Sequence, residues 1–104
     1  MSDLIIRNGT IIDGTGSERF RADVAVSGDR ITNIGDLTAA TAATEVNATG
    51  QAVAPGFIDV HTHDDRFLFT NPDMAPKASQ GVTTVVVGNC GFSLAPWKLS
   101  LIHI

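Results

Sequence analysis

Apolar positions in the first half of the chain come in short clusters broken by glycine turns. Leu4-Ile5-Ile6-Arg7 is followed by Asn8-Gly9 and then by Thr10-Ile11-Ile12, a pattern that predicts two strands joined by a tight hairpin. Asp13-Gly14-Thr15-Gly16-Ser17 is a second turn cluster. Asp23-Val24-Ala25-Val26-Ser27 alternates apolar with small or polar residues, as a half-buried strand does. After Ser27-Gly28-Asp29, Arg30-Ile31-Thr32-Asn33-Ile34-Gly35 is a further strand with its isoleucines on one face. Residues 38–44 are small and weakly periodic and are expected to form a surface loop. Glu45-Val46-Asn47-Ala48 and Gln51-Ala52-Val53-Ala54 are expected short strands. Residues 1–54 thus form an expected antiparallel β-module.

The pattern changes at Pro55-Gly56. Phe57-Ile58-Asp59-Val60-His61 is compact and mostly apolar, the type of strand that is buried on both faces. A helix is expected to start near Asp73 as N-cap, with Pro76 in its first turn and Gln80-Gly81 as its stop. Val82-Thr83-Thr84-Val85-Val86-Val87 is β-branched throughout and reads as a second buried strand. Strand, helix and strand at this spacing predict a parallel βαβ unit. The expected fold class is α/β with an N-terminal β-module.

Length bounds this reading. The sequence has 104 residues, and a complete (β/α)₈ barrel needs roughly 250. Residues 55–98 can therefore supply only the opening of such a barrel. Hydrophobic residues make up 43% and charged residues 17%, a globular balance. The net charge of -4, with no basic patch, argues against nucleic-acid or anionic-membrane partners. The apolar run Leu4-Ile5-Ile6 is too short for a secretory signal, and no stretch reaches the roughly 20 apolar residues of a membrane span. One cysteine makes no internal disulfide. The expected location is the cytoplasm.

His61-Thr62-His63 is the first chemical signal. Residues two apart on a strand share a side, so the two imidazoles converge at the carboxyl end of the first buried strand, where α/β barrels build their sites. Paired imidazoles suit a borderline metal such as zinc. Cys90, in Gly88-Asn89-Cys90-Gly91, ends the second buried strand at the same level. Its flanking glycines permit close backbone approach, and a thiolate beside zinc can bridge two metals. Asp64 and Asp65 follow the histidines, and Asp59 shares their parity. Any of the three carboxylates can orient a ligating imidazole, and the residues alone do not choose among them. His103 carries no assigned role.

Pro55-Gly56-Phe57-Ile58-Asp59-Val60-His61-Thr62-His63 resembles the metal-binding signature of the amidohydrolase superfamily, and residues 4–14 resemble its N-terminal strand pair. Within that superfamily, His61-Thr62-His63-Asp64-Asp65, Pro76-Lys77, Ser79-Gln80-Gly81-Val82-Thr83-Thr84-Val85-Val86 and Gly88-Asn89-Cys90-Gly91 resemble the N-acyl-D-amino-acid deacylases. Cys90 discriminates most, because hydantoinases and dihydroorotases bridge their metals with a carboxylated lysine on a later strand. The resemblance implies part of a small β-sandwich domain (residues 1–54) followed by the first βαβ of a (β/α)₈ barrel (residues 55–98). It implies His61, His63 and Cys90 as metal ligands for one or two zinc ions. It also implies that a zinc-activated water hydrolyses the amide of a small N-acyl-D-amino acid to a D-amino acid and a carboxylate. The remaining histidine ligands and the general acid/base aspartate belong to later strands, so no catalytic residue is assigned within this chain and the chain alone is expected to be inactive.

Two rival readings stand beside this one. Another amidohydrolase, such as a cyclic amidase of the hydantoinase or dihydroorotase kind, is disfavoured by Gly88-Asn89-Cys90-Gly91. A small non-catalytic β-module predicts an independently folding monomer with a cooperative urea transition. Residues 99–104 depart from the resemblance. They can be written in codons as CTG TCT CTT ATA CAC ATC, a string that reads as the transposon-end adapter of sequencing libraries, and they are expected to be a non-native tail.

Overall fold

The computed structural model describes residues 1–94, in two compact units that meet in sequence between Pro55 and Gly56. The expectations for residues 99–104, His103 included, lie outside the described residues.

In the first unit, β1 (Ser2–Ile11), β2 (Phe20–Ser27), β3 (Arg30–Gly35), β4 (Ala42–Asn47) and β5 (Ala52–Val53) form one sheet in the order β3-β2-β1-β4, with β5 also on β1. The expected hairpin at Asn8-Gly9 is absent. β1 runs straight through, and Arg7 and Asn8 together oppose Asp23 of β2 as a β-bulge. Asn8 takes the left-handed conformation that a hairpin turn would need, with φ 60°, yet the chain does not reverse. Asp23 supplies the reason: its Oδ1 accepts the Asn8 N–H at 2.8 Å, replacing the ladder bond that the bulge removes. Gly9 then passes so close to Val53 that an added Cβ would lie 2.5 Å from Val53 Cγ2.

The sheet is mixed rather than antiparallel, because β4 and β5 both run parallel to β1. Arg7 anchors the crossover that makes this possible. Its guanidinium donates to the carbonyls of Leu37 (2.6 Å) and Ala40 (2.8 Å) and grips both carboxylate oxygens of Glu45 on β4. Residues 42–44, expected in a loop, are strand because they pair with the edge of β1 from Ser2 to Leu4. The crossover covers one sheet face, where Ile5 is fully buried with Ala25 and Leu37. An irregularity opposite Ala25 and Val26 keeps Ile31 and Ile34 on the face of Val26 and Val24, as expected, but both are exposed.

In the second unit, β6 (Phe57–Thr62) pairs in parallel with β7 (Val82–Val87), and α1 (Asp64–Thr70) and α2 (Ala75–Ala78) lie between them in sequence. The βαβ order is as expected, with two differences. The helix begins after Met74, held at φ 48°, rather than at Asp73, and α1 precedes it unforeseen. Gly81, at φ 79°, ends the helical segment and its carbonyl accepts the Phe57 N–H at 2.8 Å. The strands are not buried on both faces: Phe57, Ile58 and Val60 are each about three-fifths exposed, since among the described residues only two short helices accompany this two-stranded sheet. Gly56 is required at the head of β6, where any Cβ would fall inside the Thr83 side chain. Among the described residues no helix is long and apolar enough to cross a membrane.

Candidate metal centre

Three side chains converge where the strands of the second unit end. His61 is the penultimate residue of β6, His63 stands at the N-cap position of α1 without capping it, and Cys90 sits in the turn after β7. The His61 Nε2 lies 2.5 Å from Cys90 Sγ. The two imidazole centroids are 6.1 Å apart with the rings tilted by 60°. One donor atom from each of the three residues lies within 4.8 Å of the other two, and all three residues are exposed. Convergence of the histidines follows from strand parity only up to Thr62. His63 already stands outside the strand, and the buried Thr62 accepts the Asp64 N–H at 3.2 Å as the chain turns into α1.

Glycine geometry aims Cys90. Gly88 and Gly91 both have positive φ, at 80° and 77°, and the Gly91 N–H donates to the Gly88 carbonyl at 2.9 Å. Few residues other than glycine adopt that conformation without strain. Asn89 ties this turn to β6, its Nδ2 donating to the Val60 carbonyl at 3.0 Å. Sequence reasoning gave Asn89 no role, although an amide between glycines at a strand end is a turn-fixing signal.

The three candidate carboxylates separate by their partners. Asp59 accepts the His61 N–H on Oδ1 (3.3 Å) and the Lys77 ammonium on Oδ2 (2.6 Å). Asp64 Oδ2 pairs with the same ammonium at 3.0 Å. Asp65 accepts the Leu94 N–H on Oδ2 at 2.7 Å, holding the segment that follows the Cys90 turn against the start of α1. The Lys77 hydrogen bond, with the His61 amide second, holds the Asp59 carboxyl below its usual range; the same bond raises Lys77. Asp59 is therefore an ionised structural carboxylate rather than a proton acceptor poised near neutrality. Lys77 was the residue missed by reading side chains along the strands, since it reaches the site from α2.

Two imidazole nitrogens and a sulfur are the donors that zinc takes, and their grouping on an exposed strand end leaves room for further ligands. The donor set fits such an ion.

Residues 44–100 match the model of the Amidohydrolase family, and the chain belongs to that family. It is 61% identical over 94 residues to the D-aminoacylase of Alcaligenes xylosoxydans xylosoxydans, covering 90% of this chain and 19% of that protein. A D-aminoacylase structure described with a binuclear metal centre superposes with a TM-score of 0.88 at 56% identity, covering 93% of this chain and 20% of that one. The N-acyl-D-glutamate deacylase of Bordetella bronchiseptica, solved with zinc and a phosphonate mimic of the tetrahedral intermediate, gives a TM-score of 0.89 at 55% identity over 95% of this chain and 21% of that one. The chain spans about a fifth of the length of these relatives.

Proposed function

We propose that this chain is the amino-terminal, metal-holding portion of a zinc-dependent hydrolase that cleaves the amide of N-acyl-D-amino acids to a D-amino acid and a carboxylate. The observation that carries the reading is the convergence of His61, His63 and Cys90 donors within 4.8 Å, in a chain so similar to D-aminoacylase. His61, His63 and Cys90 would hold the ion, with Cys90 able to serve two ions at once. Zinc at such a site polarises a carbonyl and lowers the pKa of a water.

The chain's own residues do the holding. Asn89 and the two glycines fix the thiol, Thr62 turns the backbone between the imidazoles, and Asp59 stays ionised on Lys77. Among the described residues, the carboxylates nearest the histidines are engaged with Lys77 or with backbone amides. Among the described residues, then, no carboxylate beside the histidines is left wholly free to act as general base, and the chain by itself is expected not to hydrolyse the substrate. Its substrate is a small molecule, and its place is the cytoplasm.

The test grafts residues 1–94 in place of the corresponding segment of the Alcaligenes D-aminoacylase. The chimera is expected to release free D-amino acid from an N-acetyl-D-amino acid with zinc present, to leave the L enantiomer intact, and to lose most activity with Cys90→Ala. Hydrolysis of a hydantoin or dihydropyrimidine instead, or full activity in Cys90→Ala, would overturn the reading.

A further inference from the structure

We infer that Lys77 is a positioning residue for this site, a single ammonium that clamps the two chain segments flanking His61-Thr62-His63. The inference rests on the reading that His61, His63 and Cys90 hold a metal. Lys77 Nζ lies 2.6 Å from Asp59 Oδ2 and 3.0 Å from Asp64 Oδ2. Asp59 stands two residues before His61 and also accepts that residue's N–H. Asp64 directly follows His63 and opens α1. The ammonium thus ties a carboxylate two residues before one imidazole to a carboxylate directly after the other.

Electrostatics make the clamp a two-sided device. Two carboxylates this close repel each other in the absence of a cation, which would drive the end of β6 and the start of α1 apart, and the histidines with them. The ammonium converts that repulsion into a shared attraction. All three side chains are partly shielded, between 18% and 34% exposed, so water screens the triad only in part. The triad keeps one net negative charge beside the donors, which also favours a cation there. Ion pairs at this exposure add little to fold stability. The effect of Lys77 is therefore expected in metal affinity and not in melting.

Cobalt(II) titration of the purified chain reads this directly, through the sulfur-to-cobalt charge-transfer band that reports Cys90 coordination. Lys77→Met is expected to weaken cobalt binding about tenfold or more, the range seen when groups that hold ligating residues are removed. Lys77→Arg, which keeps the cation, is expected to recover most of the affinity. If wild type shows the band and Lys77→Met binds equally well, the positioning role is overturned while the metal reading stands. If wild type shows no sulfur band, both fall. Should circular dichroism show Lys77→Met unfolded, Asp64→Asn removes one arm of the clamp at constant side-chain size. It is expected to weaken binding by a smaller factor, and unchanged affinity there overturns the role.

Discussion

Gly9→Ala tests whether the bulge in β1 exists to let β5 approach. An ideal Cβ at Gly9 would stand 2.5 Å from Val53 Cγ2, 3.4 Å from Val53 Cβ and 3.6 Å from Ala48 Cβ. Carbon pairs rest at about 3.5–4.0 Å, so Val53 must retreat by about an ångström. Val53 is β-branched and stiff at χ1, so the strand moves with it. Overpacking of this kind costs about 1–3 kcal/mol. The strain falls on two bonds, Thr10 N–H to the Gln51 carbonyl (3.0 Å) and Ile12 N–H to the Val53 carbonyl (2.9 Å). Hydrogen exchange at the Thr10 and Ile12 amides is expected to accelerate about 5- to 150-fold, at about 1.4 kcal/mol per decade, while β2–β3 amides keep their protection. Gly35→Ala is the control, because its Cβ meets nothing within 4 Å. Unchanged exchange at Thr10 and Ile12, or equal acceleration in Gly35→Ala, would refute the reasoning.

Further outcomes follow from the same geometry. Gly56→Ala places its methyl on Thr83, so it is expected to part β6 from β7 and weaken cobalt binding, with Thr83→Gly in the same chain restoring part of it; a titration of the three variants decides. Asp23 has its carboxyl held below the usual range, first by the Asn8 amide and then by Leu37 and Arg7. Its contribution is therefore complete above about pH 4 and is lost as pH falls through the depressed value, which a carbon-detected NMR titration should show as a midpoint below the usual aspartate range. Asn89→Ala removes the tie to Val60 and is expected to lower cobalt affinity about tenfold while leaving the β6–β7 amides protected; equal affinity by titration would count against it.

Local chemistry made much of the fold legible, and long-range chemistry decided the rest. β3 and β7 run where alternation and β-branching placed them, because each pattern spans a whole strand. Asn8-Gly9 has the right conformation for a turn, but Asp23, 15 residues away in sequence, converts it into a bulge. The parallel course of β4 depends on Arg7 gripping carbonyls about 30 residues on, which no local window contains. α1 was missed because His63 at its N-cap position makes no side-chain cap; the acidic first turn, Asp64 and Asp65, was the signal that could have found it. At the site, the two histidines and Cys90 were visible as residue types at strand ends. Lys77 and Asn89 were not, since their roles come from reaching across from α2 and from the β7 turn.

The central claim is that His61, His63 and Cys90 share one metal ion. Zinc K-edge X-ray absorption on the chain loaded with a single equivalent of zinc tests it most directly. The account predicts one sulfur at about 2.3 Å together with imidazole nitrogens at about 2.0–2.1 Å, and loss of the sulfur shell in Cys90→Ser. A zinc shell made of oxygen and nitrogen alone, unchanged by Cys90→Ser, would contradict it.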